Sequence, residues 1–366
     1  MKKQKIFSRK GIWILMGIIT IIVLLVFSSI LNSFLTQEEI TEDGGDERDE
    51  NIEYEWKDYP YQIPGTDMTF PEEEGLCTEC DDTWISVGLY LDSSELDMEE
   101  TYLVILYQED YKDILLSSKD RTISIRNYGE EKLPEGKLNM TFENDDLSMS
   151  DDILRAKEGK PFDYEFQCTF EFGNERYELD IDLEATKPPA TMTDLDGEIE
   201  LSGHHYRIHS LTSLEISGSM IIDDDILEVK GLGWIENQRG SFRGMDWDWF
   251  AFWGEDNIEM KLVDVFVDDE NFGYGMHVDD EGDITTIKDI EFEVISTESG
   301  YGNKWEITSD ENIIDLKITN IEGRTIYHQG YVIGLAEVQG EVMGEEIDTL
   351  TYVELTKDHD DLVIVP

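Results

Sequence analysis

Residues Gly231–Phe250 read GLGWIENQRGSFRGMDWDWF, a stretch with three tryptophans, two aspartates and a glutamate. Taken as a strand, Gly231–Arg239 sets Leu232, Trp234, Glu236 and Gln238 on one face. Gly233, Ile235, Asn237 and Arg239 fall on the other, because successive strand side chains point to opposite sides. A following strand over Met245–Trp253 lines Trp247, Trp249, Ala251 and Trp253 along one face, and Asp246, Asp248, Phe250 and Phe252 along its reverse. Trp234, Glu236 and Gln238 beside a tryptophan ladder make an apolar pocket that holds one carboxyl group. Rings supply contact area there, and the few polar groups fix a ligand's orientation. Burial favours the protonated carboxyl, the form a general acid needs. Two plainer readings stand beside this one: the tryptophans fill a β core, or Glu236 is exposed or paired with Arg239 or Arg243.

Outward from this stretch the chain is strand-like. Trp84–Tyr90, Thr101–Gln108, Tyr164–Phe172 and Tyr177–Leu183 alternate with period two, and no segment after residue 36 has a helical period of useful length. Leu214–Ile222 and Ile226–Gly231 flank Asp223-Asp224-Asp225, which reads as a hairpin turn. Ile258–Phe266, Ile290–Val294, Ile313–Ile318, Tyr331–Val338 and Thr349–Leu355 complete the pattern. Turn residues between short strands indicate barrels or sandwiches. Lys187-Pro188-Pro189 interrupts the series. Proline cannot donate to a ladder, so a division between two β domains, 66–188 and 189–366, is expected there.

Composition narrows the partners. The chain has 85 acidic against 28 basic residues, a net charge of −57, which excludes nucleic acid and anionic membrane surfaces. Only the N-terminus departs from this. Lys2, Lys3, Lys5, Arg9 and Lys10 make residues 1–10 a basic tail, and Gly11–Leu35 then runs without a charge. Such a run spans a hydrocarbon core of ~30 Å as a helix. The expected topology is a cytoplasmic tail, an anchor at 11–33, an acidic stalk at 34–65 and extracytoplasmic β domains. A cleaved signal peptide is the rival reading. Cys77 and Cys80 form CTEC in an acidic loop and read equally as a local disulfide or as two thiols. His205 and His209 share a strand face but stand ~13 Å apart, so no metal site is expected. Val278–Asp283 lacks the ligand spacing of a calcium loop. GxSxG, P-loop, GxGxxG and HExxH motifs are absent, and no cofactor is expected.

Gly231–Gly240 followed by Trp247-Asp248-Trp249-Phe250 resembles the hallmark of the carotenoid 1,2-hydratase-like (hydroxyneurosporene synthase, AttH-type) family, roughly G-x-[WY]-x-D-[HR]-x-W-G and then W-x-W-F. Leu179–Met220, Tyr301–Trp305, Gly330-Tyr331, Gly340 and Tyr352–Thr356 are similar to further family segments. The likeness is good from about 180 to 357. It implies two tandem lipocalin-like antiparallel β-barrels with a hydrophobic site in or between them. In the family's hydratases an aspartate of the hallmark protonates an alkene and water captures the cation. That position is Glu236 here, one methylene longer, and the aromatic residue two before it is Trp234. Asn237 stands where His or Arg is usual, and Arg239 where Trp is usual. The combined expectation is an apolar, isoprenoid or lipid ligand held by Trp234, Gln238, Trp247, Trp249, Tyr206 and His209, with Glu236 as acid. A carrier without catalysis and a filled structural barrel remain the alternatives.

Overall fold

The computed structural model describes residues 56–359 apart from gaps, the longest at 127–145. The basic tail, the expected anchor at 11–33, most of the stalk and Cys77 lie outside the described residues. Cys80 is disulfide-bonded, and Cys168 is a buried thiol in the core. Among the described residues no helix is long and apolar enough to cross a membrane.

The described chain is all-β, and nearly all of it lies in two antiparallel sheets. The first has eleven strands. Its path runs Thr122–Arg126, Tyr111–Ser117, Thr101–Gln108, Asp82–Asp92, Asp225–Ser241, His204–Ile222, Glu175–Ala185, Tyr164–Phe172, Asp152–Ala156 and Asp146–Met149, with Glu198–Leu201 paired alongside His204–Ile222. The second has nine: Ile284–Lys288, Glu270–Val278, Glu259–Val267, Asp246–Trp253, Glu345–Leu355, Tyr331–Val342, Ile314–His328, Tyr301–Ser309 and Ile290–Glu298. A short ribbon, Tyr61–Gln62 with Thr69–Phe70, packs on the first sheet's core.

The lipocalin-like β-barrel architecture expected is present in curled form, although neither ladder closes on itself among the described residues. In the second sheet the two edge strands follow one another through Asp289. The seam is tight: a Cβ on Gly273 would stand 2.1 Å from the Ile290 carbonyl oxygen.

The sheets change between Ser241 and Asp246, not at 188/189. The Lys187-Pro188-Pro189 segment stays against the first sheet. Thr186 N–H donates to Ser213 O and Ala190 N–H to Ser210 O, which leaves the two prolines in the unpaired interval between. His204–Ile222 and Asp225–Ser241 then continue the first sheet, turning at Asp223, whose φ is +55°.

Three apolar cores result. Ile85, Val87, Leu89, Phe166, Leu183 and Ile235 fill the hollow of the first sheet. Phe250, Phe252, Leu262, Trp305 and Leu316 fill that of the second. Trp84, Trp234, Trp249, Val263, Tyr274 and Ile333 pack between the sheets. The central strands are therefore buried on both faces. Period-two alternation decides which core a side chain enters: Ile235 goes inward and Trp234 to the sheet junction; Phe250 goes inward and Trp249 to the junction.

Candidate functional site

Glu236 sits in the middle of Asp225–Ser241. Its register partners are Ser86 on one neighbouring strand and Ser210 on the other. Small residues on both sides leave room around its carboxyl, which is 1 % exposed. The carboxyl projects into the junction between the sheets and is ringed by donors. Trp234 Nε1–H and Ser210 Oγ–H donate to Oε2 at 3.1 and 3.3 Å. Gln238 Nε2–H and Trp249 Nε1–H donate to Oε1 at 3.2 and 3.3 Å. Lys261, on the second sheet and wholly buried, brings Nζ to 3.6 Å from Oε1 and donates to Ser210 Oγ at 3.2 Å. Burial lowers the Lys261 pKa, and Glu236 partly restores it.

Above the carboxyl lies a narrow pocket with Trp84, Tyr206, Met245, Trp247, Val263 and Tyr274 among its walls. Trp84 and Trp247 meet edge to face at 5.6 Å, and Trp247 Nε1–H donates to Glu354 at 2.9 Å. Tyr206 from the first sheet and Tyr274 from the second join their hydroxyls at 2.8 Å. Burial pushes the pKa of both tyrosines up, so both remain phenols at ordinary pH.

Six of the seven residues singled out in the sequence meet here: Glu236, Trp234, Gln238, Trp247, Trp249 and Tyr206. His209 does not. It pairs with Asn237 on the reverse face, and its ring packs edge-on against Phe70 at 5.1 Å inside the first sheet's hollow. One-residue alternation accounts for this, because Ser210 is the neighbour that turns toward Glu236. Burial brings the His209 pKa down to about 3. Arg239 also leaves the site and binds Glu73 through its main-chain oxygen, at 2.7 Å, and its carboxylate. The lone buried carboxyl expected at 236 is corrected too, since Lys261 compensates it. Lys261, Trp84, Tyr274, Met245 and Glu354 were not picked out from the sequence. The signal for Lys261 was a single lysine inside the apolar strand EMKLVDVFV.

A carboxylate offers about four lone-pair directions, and five donors converge on this one. The arrangement thus holds a fixed, internally neutral dipole under an aromatic roof. Lysine and carboxyl in contact can also hold one proton between them.

The fold and this junction define a lipocalin-like, two-sheet protein. No family model matches the chain, and no curated protein matches it in sequence. Among solved structures it is similar to a candidate AttH from Nitrosomonas europaea, with TM-score 0.62 and 16 % identity over 80 % of this chain and 98 % of that one. It is also similar to kievitone hydratase from Nectria haematococca, with TM-score 0.60 and 14 % identity over 83 % and 95 %. At these identities the likeness is one of fold.

Proposed function

We propose that the chain takes an apolar, unsaturated small molecule between its two sheets and adds water across a C=C bond without a cofactor. The observation that carries this reading is the buried Glu236–Lys261 pair beneath the aromatic pocket. The likeness to a solved hydratase supports it. In the proposed step Glu236 gives its proton to one alkene carbon, and the π pair forms the new C–H bond. Water adds to the neighbouring cationic carbon and returns a proton to Glu236. Before the step the pair shares one proton, on Lys261 as ammonium with Glu236 ionised or on Glu236 with Lys261 as neutral amine; the second form delivers it, and the proton returned by water restores the pair. Aromatic walls also stabilise a developing cation.

Mass spectrometry of apolar compounds that co-purify with the full chain is the first experiment, because it supplies candidate substrates. Replacing Glu236 by Gln then keeps size and polarity but removes the proton. Turnover should fall by roughly 10²–10⁴-fold, the usual worth of general acid catalysis. Unchanged turnover would show the acid role to be wrong.

Binding without turnover is a second reading. It is favoured by the five donors on Glu236, which leave the carboxyl as an orienting group. For placement, the reading is a single-pass anchor with the β region outside the cell, supported by the basic charges that precede the apolar run at Gly11–Leu35. Protease added to intact cells should then remove the β region, and full protection would count against the anchor.

A further inference from the structure

A second, narrow cavity adjoins the first in the same sheet junction. It lies on the far side of Trp249. Ser86 and Trp249 line both cavities, so these two residues form the partition. The Trp249 ring is held on one side by its Nε1–H to Glu236 at 3.3 Å, and on the other it meets the Tyr352 ring edge-on at 5.5 Å. Opposite it stands only the small side chain of Ser86.

Two small residues make the second cavity. Gly88 follows Ser86 on the same face of the first sheet, and Ala251 follows Trp249 on the facing strand of the second. The other walls include Val104, Trp234 and Trp253. Unlike the Glu236 cavity, this one contains no charged side chain. Gly88 is not held by its backbone: it lacks a positive φ, and a Cβ there would meet Trp234 at 3.8 Å, an ordinary contact. The missing side chain leaves space where the local geometry would accept one.

We infer that this cavity is a second subsite that takes the apolar tail of an elongated ligand whose polar or reactive end lies at Glu236, with Gly88 and Ala251 setting the tail length. The inference rests on the pocket reading given under Proposed function and adds the shape of its ligand. A compact ligand would fill only the Glu236 cavity. A ligand with a hydrocarbon tail would pass between Ser86 and Trp249 and bury that tail among rings, with no polar group left unpaired.

The test uses the full chain in lipid nanodiscs with two probes, 1-hexanol and 1-dodecanol, read by tryptophan fluorescence. Partition into lipid is the same for every variant and cancels. Native protein should bind dodecanol more tightly than hexanol. Gly88→Leu fills the second cavity from one sheet, and Ala251→Leu fills it from the other. Each should weaken dodecanol roughly tenfold or more through lost tail burial and leave hexanol within about twofold. Circular dichroism and melting confirm that each variant is folded, and either variant suffices if the other fails to fold. Equal losses for both alcohols, or no loss for dodecanol, would overturn the second subsite while leaving the Glu236 pocket standing. If neither alcohol changes the fluorescence of the native chain, the pocket reading itself fails and the subsite with it.

Discussion

Lys261 reaches across from the second sheet to Glu236 on the first, Nζ to Oε1 at 3.6 Å, with both side chains shut off from solvent. Opposite charges at this depth are costly to desolvate and hold together only as a pair. Lys261→Met should therefore destabilise the protein by ~3–5 kcal/mol, because a buried carboxylate loses its counter-charge. The double variant Lys261→Met, Glu236→Gln removes both charges and should recover most of the loss. Urea unfolding of the native chain, both singles and the double checks this. A double variant as unstable as Lys261→Met alone would mean the pair is not coupled.

Trp234 and His209 are predicted to separate cleanly in binding. Trp234 packs edge-on against Trp253 at 5.9 Å and donates to Glu236, so its ring belongs to the sheet junction. Trp234→Ala should weaken a bound apolar ligand by ~1–3 kcal/mol. His209→Leu alters the other face of the sheet and should leave affinity unchanged. Titration calorimetry with the co-purifying compound decides the matter, and a loss of binding in the His209 variant would contradict the assignment of faces.

Gly231 opens the hallmark stretch for a backbone reason. Its φ is +156°, and a Cβ there would stand 1.8 Å from the Tyr90 carbonyl oxygen. That oxygen cannot move without breaking the pairing between Asp225–Ser241 and Asp82–Asp92. Gly231→Ala should cost about 1–3 kcal/mol in backbone strain or more, seen as a lowered melting temperature. A melting temperature equal to that of the native protein would show the strand free to adjust.

Asp264 gives a pH prediction. Burial pushes its carboxyl up to about 7 from an ordinary 3.8, partly offset by the Asn271 side chain. Between those values the folded state holds a proton that the unfolded chain has lost, so stability falls as pH rises. The contribution is fully present below the unfolded value and gone once pH passes the folded one. Asp264→Asn keeps the shape and removes the titration. Melting of native protein relative to this variant should decline between about pH 4 and about pH 8. His209 acts in both proteins and drops out of the difference. A constant difference would mean that Asp264 is ionised throughout.

Much of this was legible in the chain. Period-two alternation placed Trp234, Glu236 and Gln238 on one face of their strand and Trp247 and Trp249 on one face of the next, because the pleat allows no other arrangement. What alternation could not show was that both faces of these strands are buried. His209 is apolar-side by burial and still belongs to a different core. The partner of Glu236 was illegible for the same reason. Lys261 lies on another sheet, and only the docking of the two sheets brings it close. The proline boundary misled because Pro188 and Pro189 need no ladder donor and pass along the first sheet without ending it.

Among the described residues no strand is shared between the two sheets, yet the Glu236 pocket draws its walls from both. Folding of either sheet alone would yield half a site: the Glu236 carboxyl with Trp84, Trp234 and Tyr206 on the first, the Lys261 amine with Trp247, Trp249 and Tyr274 on the second. A ligand in the junction is thus a reporter of assembly. Its binding free energy adds to the docked state and to no earlier one. Saturating ligand should slow the separation of the sheets and leave the internal ladders of each unchanged. Amide hydrogen exchange would register that as added protection confined to strands that meet at the junction.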